Sequence, residues 1–155
     1  MNYWLMKSEP DVYSIDDLFA QPHRKDHWDG IRNYQARNFM KNDMNVGDLA
    51  FFYHSNCDEP AVVGIMEIVR SAYPDHTAFD PHEHYFDSKS DADNPRWFMV
   101  DVRFKKKFRQ SVSLKDIRLN KKLEKMRLVQ KGNRLSVLPI APSEWQIILR
   151  MAGER

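Results

Sequence analysis

The densest grouping of ligand-capable side chains in this sequence is Trp28-Asp29-Gly30-Ile31-Arg32-Asn33-Tyr34-Gln35-Ala36-Arg37-Asn38. An aromatic ring stacks on a nucleobase, an asparagine matches the base's hydrogen-bonding edge, and an arginine holds a phosphate. This mixture therefore points to base recognition before it points to catalysis. Asp29-Gly30 marks a tight turn, where glycine permits a positive φ and lets a ligand approach the backbone closely. Arg32 and Asn33 are costly to bury unpaired, so if they face inward they need partners, and a ligand is one such partner. Trp28 has a competing role as ordinary core packing, the commoner fate of a single tryptophan.

Two more polar clusters, Lys7-Ser8-Glu9 and Tyr53-His54-Ser55, each finish an apolar run. If the two exits converge beside the Trp28 turn, they make a concave site with an apolar floor and a polar rim. The plainer alternative is strand ends meeting solvent. The basic run Arg103, Lys105, Lys106, Lys107 and Arg109, and a later set that includes Lys121, Lys122, Lys125, Arg127 and Lys131, either track phosphates or form solvated faces. Lys131-Gly132-Asn133-Arg134 reads as a loop beside Leu135-Ser136-Val137.

His54 near Cys57, and His76, His82 and His84 near Asp75, Asp80 and Asp87, are metal-ligating residue types, but their spacing matches no closed zinc signature. No metal and no cofactor is expected. Cys57 with His54 as its base is a nucleophile pair in principle, yet a single thiol in a polar loop carries no other sign of activation. No glycine-rich phosphate loop, paired-carboxylate pattern or Ser/His/Asp signature stands out.

At 155 residues, with 42% hydrophobic and 30% charged side chains, the chain has the size and balance of one globular domain spanning residues 1–155. A formal net charge of +2 argues only weakly for nucleic acid, so any basic face must be local. One cysteine excludes an internal disulfide and a thiolate zinc site. No secretory leader is visible, and no run approaches the ~18 to 20 apolar residues of a membrane helix. The expectation is a cytoplasmic protein, nuclear in a eukaryotic host, with no membrane partner and a monomeric or weakly dimeric state.

These residues need elements to position them. Tyr3 to Met6 predicts a first strand, stopped at Pro10. Ser14 with Asp17 three residues on predicts a capped short helix. After a polar stretch from His23 to His27, the Trp28 to Asn33 turn leads into an amphipathic helix from Tyr34 to Lys41. Leu49 to His54 and Ala61 to Val69 predict a hairpin, and Phe98 to Phe104 alternates as a strand with one buried face. Ser71 to Pro95, without periodicity, reads as an irregular loop. Helices are expected from Ser113 to Arg118, over Lys121 to Met126 and from Pro142 to Met151, with an extended piece over Ser136 to Pro139. The class is α+β on a curved antiparallel sheet or small barrel.

Taken together, Trp4 to Pro10, Trp28 to Asn38, Val46-Gly47-Asp48, Phe52 to Ser55, Tyr73-Pro74-Asp75 and Leu135-Ser136-Val137 resemble the EVE domain family, in its thymocyte-nuclear-protein-like branch. The resemblance spans nearly the whole chain and implies a PUA-like fold, a compact β-barrel decorated by short helices. It also implies a non-catalytic reader of modified bases, particularly modified cytosine such as 5-methylcytosine in DNA, with RNA as the other polymer. Carried over, Lys7, Ser8 and Glu9, the turn with Trp28, Gly30, Arg32 and Asn33, Tyr53 to Ser55, and Arg134, Leu135 and Ser136 would line the base pocket. Trp28 and Tyr53 would offer aromatic faces, Asn33 and Ser8 would read the base edge, and Lys105, Lys106 and Lys131 would meet the nucleic-acid backbone. Two rivals are an RNA- or nucleotide-acting enzyme using His54 with Glu9 or Asp29 as acid and base, and a nucleoside sensor indifferent to flanking phosphates.

Overall fold

The computed structural model describes residues 1–154. Six strands, β1 (Tyr3–Ser8), β2 (Lys25–Trp28), β3 (Leu49–His54), β4 (Ala61–Pro74), β5 (Phe98–Ser113) and β6 (Val137–Ile140), form one sheet in the order β2-β5-β4-β3-β1-β6. The expected antiparallel pairing holds for every ladder but one: β1 runs parallel to β3, with Lys7 opposite Tyr53 and Ser8 opposite His54. The sheet is open, with β2 and β6 as its edges.

β1 and β3 are apolar without alternation because both of their faces are covered, as parallel pairs require. Trp4, Met6, Ala50 and Phe52 join the core on one face, with Ile15, Leu18, Trp28, Ile31, Met40 and Val100. Leu5, Phe51 and Tyr53 face the other, against Phe108, Ile117, Leu123, Trp145 and Ile148. The long β4–β5 pair shifts register at four places, the first between Val62 and Gly64. At Gly64 any Cβ would collide with the Lys106 carbonyl, so glycine there lets the two strands press together.

Short helices close the two faces. α1 (Ile15–Phe19) begins with a reciprocal Ser14–Asp17 capping box. α2 (Tyr34–Asn38) is capped by Asn33, whose Oδ1 accepts from the Ala36 N–H at 3.0 Å, and continues as a wider turn over Phe39–Asp43. α3 (Leu114–Leu119) is capped by Ser113, and α4 (Pro142–Met151) opens on Pro142.

Several boundaries differ from the sequence reading. The polar stretch from His23 contains β2, an edge strand paired only with β5. β4 continues to Pro74 and β5 to Ser113, so Lys105 to Lys107 lie within a strand. The helix expected over Lys121 to Met126 is one tight turn, Lys121–Leu123.

Candidate nucleic-acid interface

At the carboxyl end of β1 the structure holds a cavity of about 580 Å³, lined by Lys7, Ser8, Glu9, Val12, Tyr13, Asp26, His27, Trp28, Asp29, Gly30, Ile31, Ser55, Tyr85, Arg134 and Ser136. Three backbone links hold its rim together. The Lys7 N–H donates to the Ser136 carbonyl at 2.8 Å, the Ser55 N–H to the Ser8 carbonyl at 3.0 Å, and the Tyr13 N–H to the Glu9 carbonyl at 2.8 Å. The parallel β1–β3 pairing thus brings the Lys7-Ser8-Glu9 exit beside Ser55, and the segment leading into β6 brings Arg134 and Ser136 to the same cavity.

Trp28 ends β2 as a core residue that also borders the cavity. It is 7% exposed, meets Phe52 edge-on at 5.3 Å within the core, and still lines the cavity. The next turn places Gly30 at φ +78, where a Cβ would stand 2.5 Å from the Tyr85 ring. Glycine is therefore what allows Tyr85 to close over the turn. Tyr85, from the irregular loop after β4, and Tyr13, ahead of α1, are aromatic lining residues that sequence reasoning missed.

The polar lining is biased toward acceptors. The Ser8 hydroxyl donates to the Tyr13 carbonyl at 2.6 Å, which leaves its lone pairs for a ligand. Tyr13 donates its hydroxyl to Asp26 at 2.6 Å, and burial together with that carboxylate pushes the phenol well above its ordinary pKa. His27 sits between two carboxylates, 3.4 Å from Asp26 and 3.3 Å from Asp29. Burial raises the pKa of the Asp29 carboxyl, partly offset by His27. Asn56 donates to Glu9.

The sequence-assigned residues Lys7, Ser8, Glu9, Trp28, Gly30, Ser55, Arg134 and Ser136 therefore share one cavity, while the others stand elsewhere. Strand alternation turns Tyr53 to the opposite face of the sheet from Trp28 and Phe52. There it is 2% exposed, and burial pushes its phenol up to about 12. The Lys7 ammonium goes the same way, 5.8 Å from the Tyr53 ring centroid, and burial lowers its pKa. His54 lies edge-on to Phe52, and its Nε2 accepts the Ile15 N–H at 3.1 Å. That bond fixes the neutral ring, in line with a pKa lowered chiefly by burial. Cys57 Sγ lies 3.8 Å from the His54 carbonyl oxygen, toward which it donates.

Arg32 faces inward, but its partner is a protein group. It pairs with Asp75 at 3.0 Å and donates to the Tyr85 carbonyl at 2.5 and 3.1 Å. Asp75, fully buried, also accepts from the Gly30 N–H at 2.9 Å and from both the N–H and the hydroxyl of Thr77. Burial alone would raise this carboxyl; the hydrogen bonds from Thr77, Gly30 and Arg32 hold it below the ordinary range. Asn33 spends its side-chain oxygen on the α2 cap. With Leu135 it lines a separate groove of about 290 Å³ that shares Arg134 with the cavity.

The basic run on β5 is partly paired: Arg103 and Lys105 share Glu67, at 2.8 and 3.6 Å, Lys106 pairs with Glu154, and Lys107 lies 2.9 Å from Asp16. None of the three lysines lines the cavity, and neither does Lys131. Among the described residues, no group of three or more His, Cys, Asp or Glu side chains is placed to hold a metal ion, and no helix is long and apolar enough to cross a membrane.

An open mixed sheet with short helices and a mixed polar and apolar cavity at its strand ends defines a PUA-like domain. The chain belongs to the EVE domain family, whose model matches residues 2–151. Thymocyte nuclear protein 1 of Rattus norvegicus is 44% identical over 97% of this chain and 73% of its own. A crystal structure of human THYN1 in complex with 5-methylcytosine-containing DNA superposes with a TM-score of 0.94 at 41% identity, covering 100% of this chain and 99% of that one. A crystal structure from Pseudomonas putida gives a TM-score of 0.91 at 47% identity, over 97% of this chain and 99% of that one.

Proposed function

We propose that this protein is a non-catalytic reader of modified cytosine in DNA, binding one base extruded from its stack. The observation that carries the reading is a cavity of about 580 Å³, lined by Trp28 and Tyr85, in a chain that superposes on human THYN1 with its 5-methylcytosine-containing DNA. The lining chemistry fits cytosine. 5-Methylcytosine and thymine carry the same methyl group and differ at C4, amino in one and oxo in the other. A carboxylate accepts from the cytosine amine and repels the thymine oxygen. Asp29 supplies that carboxylate, the Ser8 lone pairs add a second acceptor, and Val12, Ile31 and Trp28 offer apolar contact to the methyl group. Arg134, which lines the same cavity, supplies a cation for a flanking phosphate.

The test is binding to matched oligonucleotides that carry 5-methylcytosine, cytosine or thymine at one position, in DNA and RNA. Preference for 5-methylcytosine in DNA is expected, and Asp29→Asn should narrow the gap between 5-methylcytosine and thymine. Equal binding of those two bases by the unaltered protein would remove Asp29 from the recognition scheme. Stoichiometric recovery of unchanged oligonucleotide is expected, against the rival in which His54 turns substrate over. A reader of this kind acts wherever its DNA is, in a nucleus or in a cytoplasm that contains the chromosome.

A further inference from the structure

β2 separates the base cavity from a second depression of about 660 Å³. Asp26 and His27 line both, and the far side adds Lys25, Val69, Arg70, Tyr73, Asp101 and Arg103. The two carboxylates of this groove stay anionic, each accepting from a neutral phenol. Asp26 accepts from Tyr13 and Asp101 from Tyr73, while Arg103 is paired with Glu67 at 2.8 Å. Among the described residues, Lys25 and Arg70 pair with no carboxylate, and both are exposed. The Arg70 guanidinium lies 3.6 Å from the Tyr73 ring centroid. Stacking of this kind pre-organises the planar fork, which bonds the Tyr73 hydroxyl and has further N–H donors beyond that one bond for an oxygen ligand.

We propose that this groove is the track for the phosphodiester backbone flanking the bound base, with Lys25 and Arg70 as its phosphate ligands. The inference rests on the base-reading role of the neighbouring cavity. A nucleotide's phosphates lie one sugar away from its base, and here a strand crossing the exposed β2 edge passes from the cavity onto two cations that no described carboxylate pairs. Arg134 then stands on the opposite rim, so the strand meets positive charge on both sides of the extruded base. Lys105, Lys106 and Lys107 each lie beside a carboxylate, of Glu67, Glu154 and Asp16, and Glu67 is shared with Arg103.

The experiment is a salt series of duplex binding by the full chain, using oligonucleotides that differ only in one 5-methylcytosine. Lys25→Gln and Arg70→Gln should each weaken both duplexes by the same factor and lower the slope of log affinity against log salt by about 1. Arg70→Lys should restore the slope, and Lys106→Gln should leave it unchanged. Exposed Lys25 also serves as the arm in which loss of fold is not at issue. An unchanged slope in the Lys25→Gln/Arg70→Gln double variant would overturn the groove assignment, even if methylated DNA is still preferred. Conversely, equal binding of the two duplexes with a reduced slope would keep the groove and overturn the base reading. Absence of DNA binding by the unaltered chain would overturn both.

Discussion

Trp28 is a cavity wall and a core residue at once, 7% exposed and edge-on to Phe52. Truncating a buried tryptophan to alanine costs about 3–5 kcal/mol, because lost transfer energy and an unfilled void add together. For a chain of this length the melting temperature should fall by roughly 6–20 °C. Trp28→Ala is therefore expected to lose DNA binding partly through loss of fold, whereas Trp28→Phe keeps a ring on Phe52. The phenylalanine variant should retain a cooperative melt with a smaller decrease in melting temperature, and should prefer methylated DNA less strongly. A thermal melt of Trp28→Ala indistinguishable from the unaltered protein would contradict the core role. At this scale the sequence showed which residue types recognise bases, but not how each would be used. Tyr53 has the right ring, yet its place one residue after Phe52 turns it to the other face, and strand alternation already contained that information.

The turn after β2 and the loop after β4 are joined through Asp75, and this junction presents Tyr85 to the cavity. Removing one partner of a buried ion pair costs about 3–5 kcal/mol. Because the Arg32 side chain is 23% exposed, Arg32→Ala belongs near the lower end, about 3 kcal/mol. Asp75 also makes stability depend on pH. Its folded pKa is depressed, so its contribution is fully present above the ordinary carboxylate range and is lost as pH falls through the depressed value. Asp75→Asn should therefore lower stability at neutral pH and flatten the acid limb of a denaturation series. An acid limb unchanged by Asp75→Asn would show that other carboxylates govern it. The sequence made β1, β3, the alternating half of β5 and the capped helices legible, since apolar patterning and capping residues are local signals. It concealed β2, because Lys-Asp-His-Trp on a sheet edge lacks an apolar repeat. It equally concealed the parallel β1–β3 pairing and the placement of Tyr85, which depend on partners more than 40 residues apart.

For the molecule as a whole, a net charge of +2 supplies little long-range attraction to DNA, so affinity must come from the cavity and the cations at its two rims. Taking a base out of a duplex costs a few kcal/mol, and stacking returns only about 1–3 kcal/mol per base. The balance is close enough that the cost of extrusion should govern the measured affinity. A duplex with the same 5-methylcytosine placed opposite a mismatched base begins partly unpaired but presents the same phosphates to β2 and Arg134. Since about 1.4 kcal/mol corresponds to tenfold, the mismatched duplex should bind at least roughly ten times more tightly. Its salt slope should match that of the paired duplex, because the number of phosphate contacts is unchanged. Equal affinity for the two would mean that the base stays in its stack and that the cavity between Trp28 and Tyr85 takes another ligand. A changed slope would mean that the mismatch alters the path of the strand across the β2 edge.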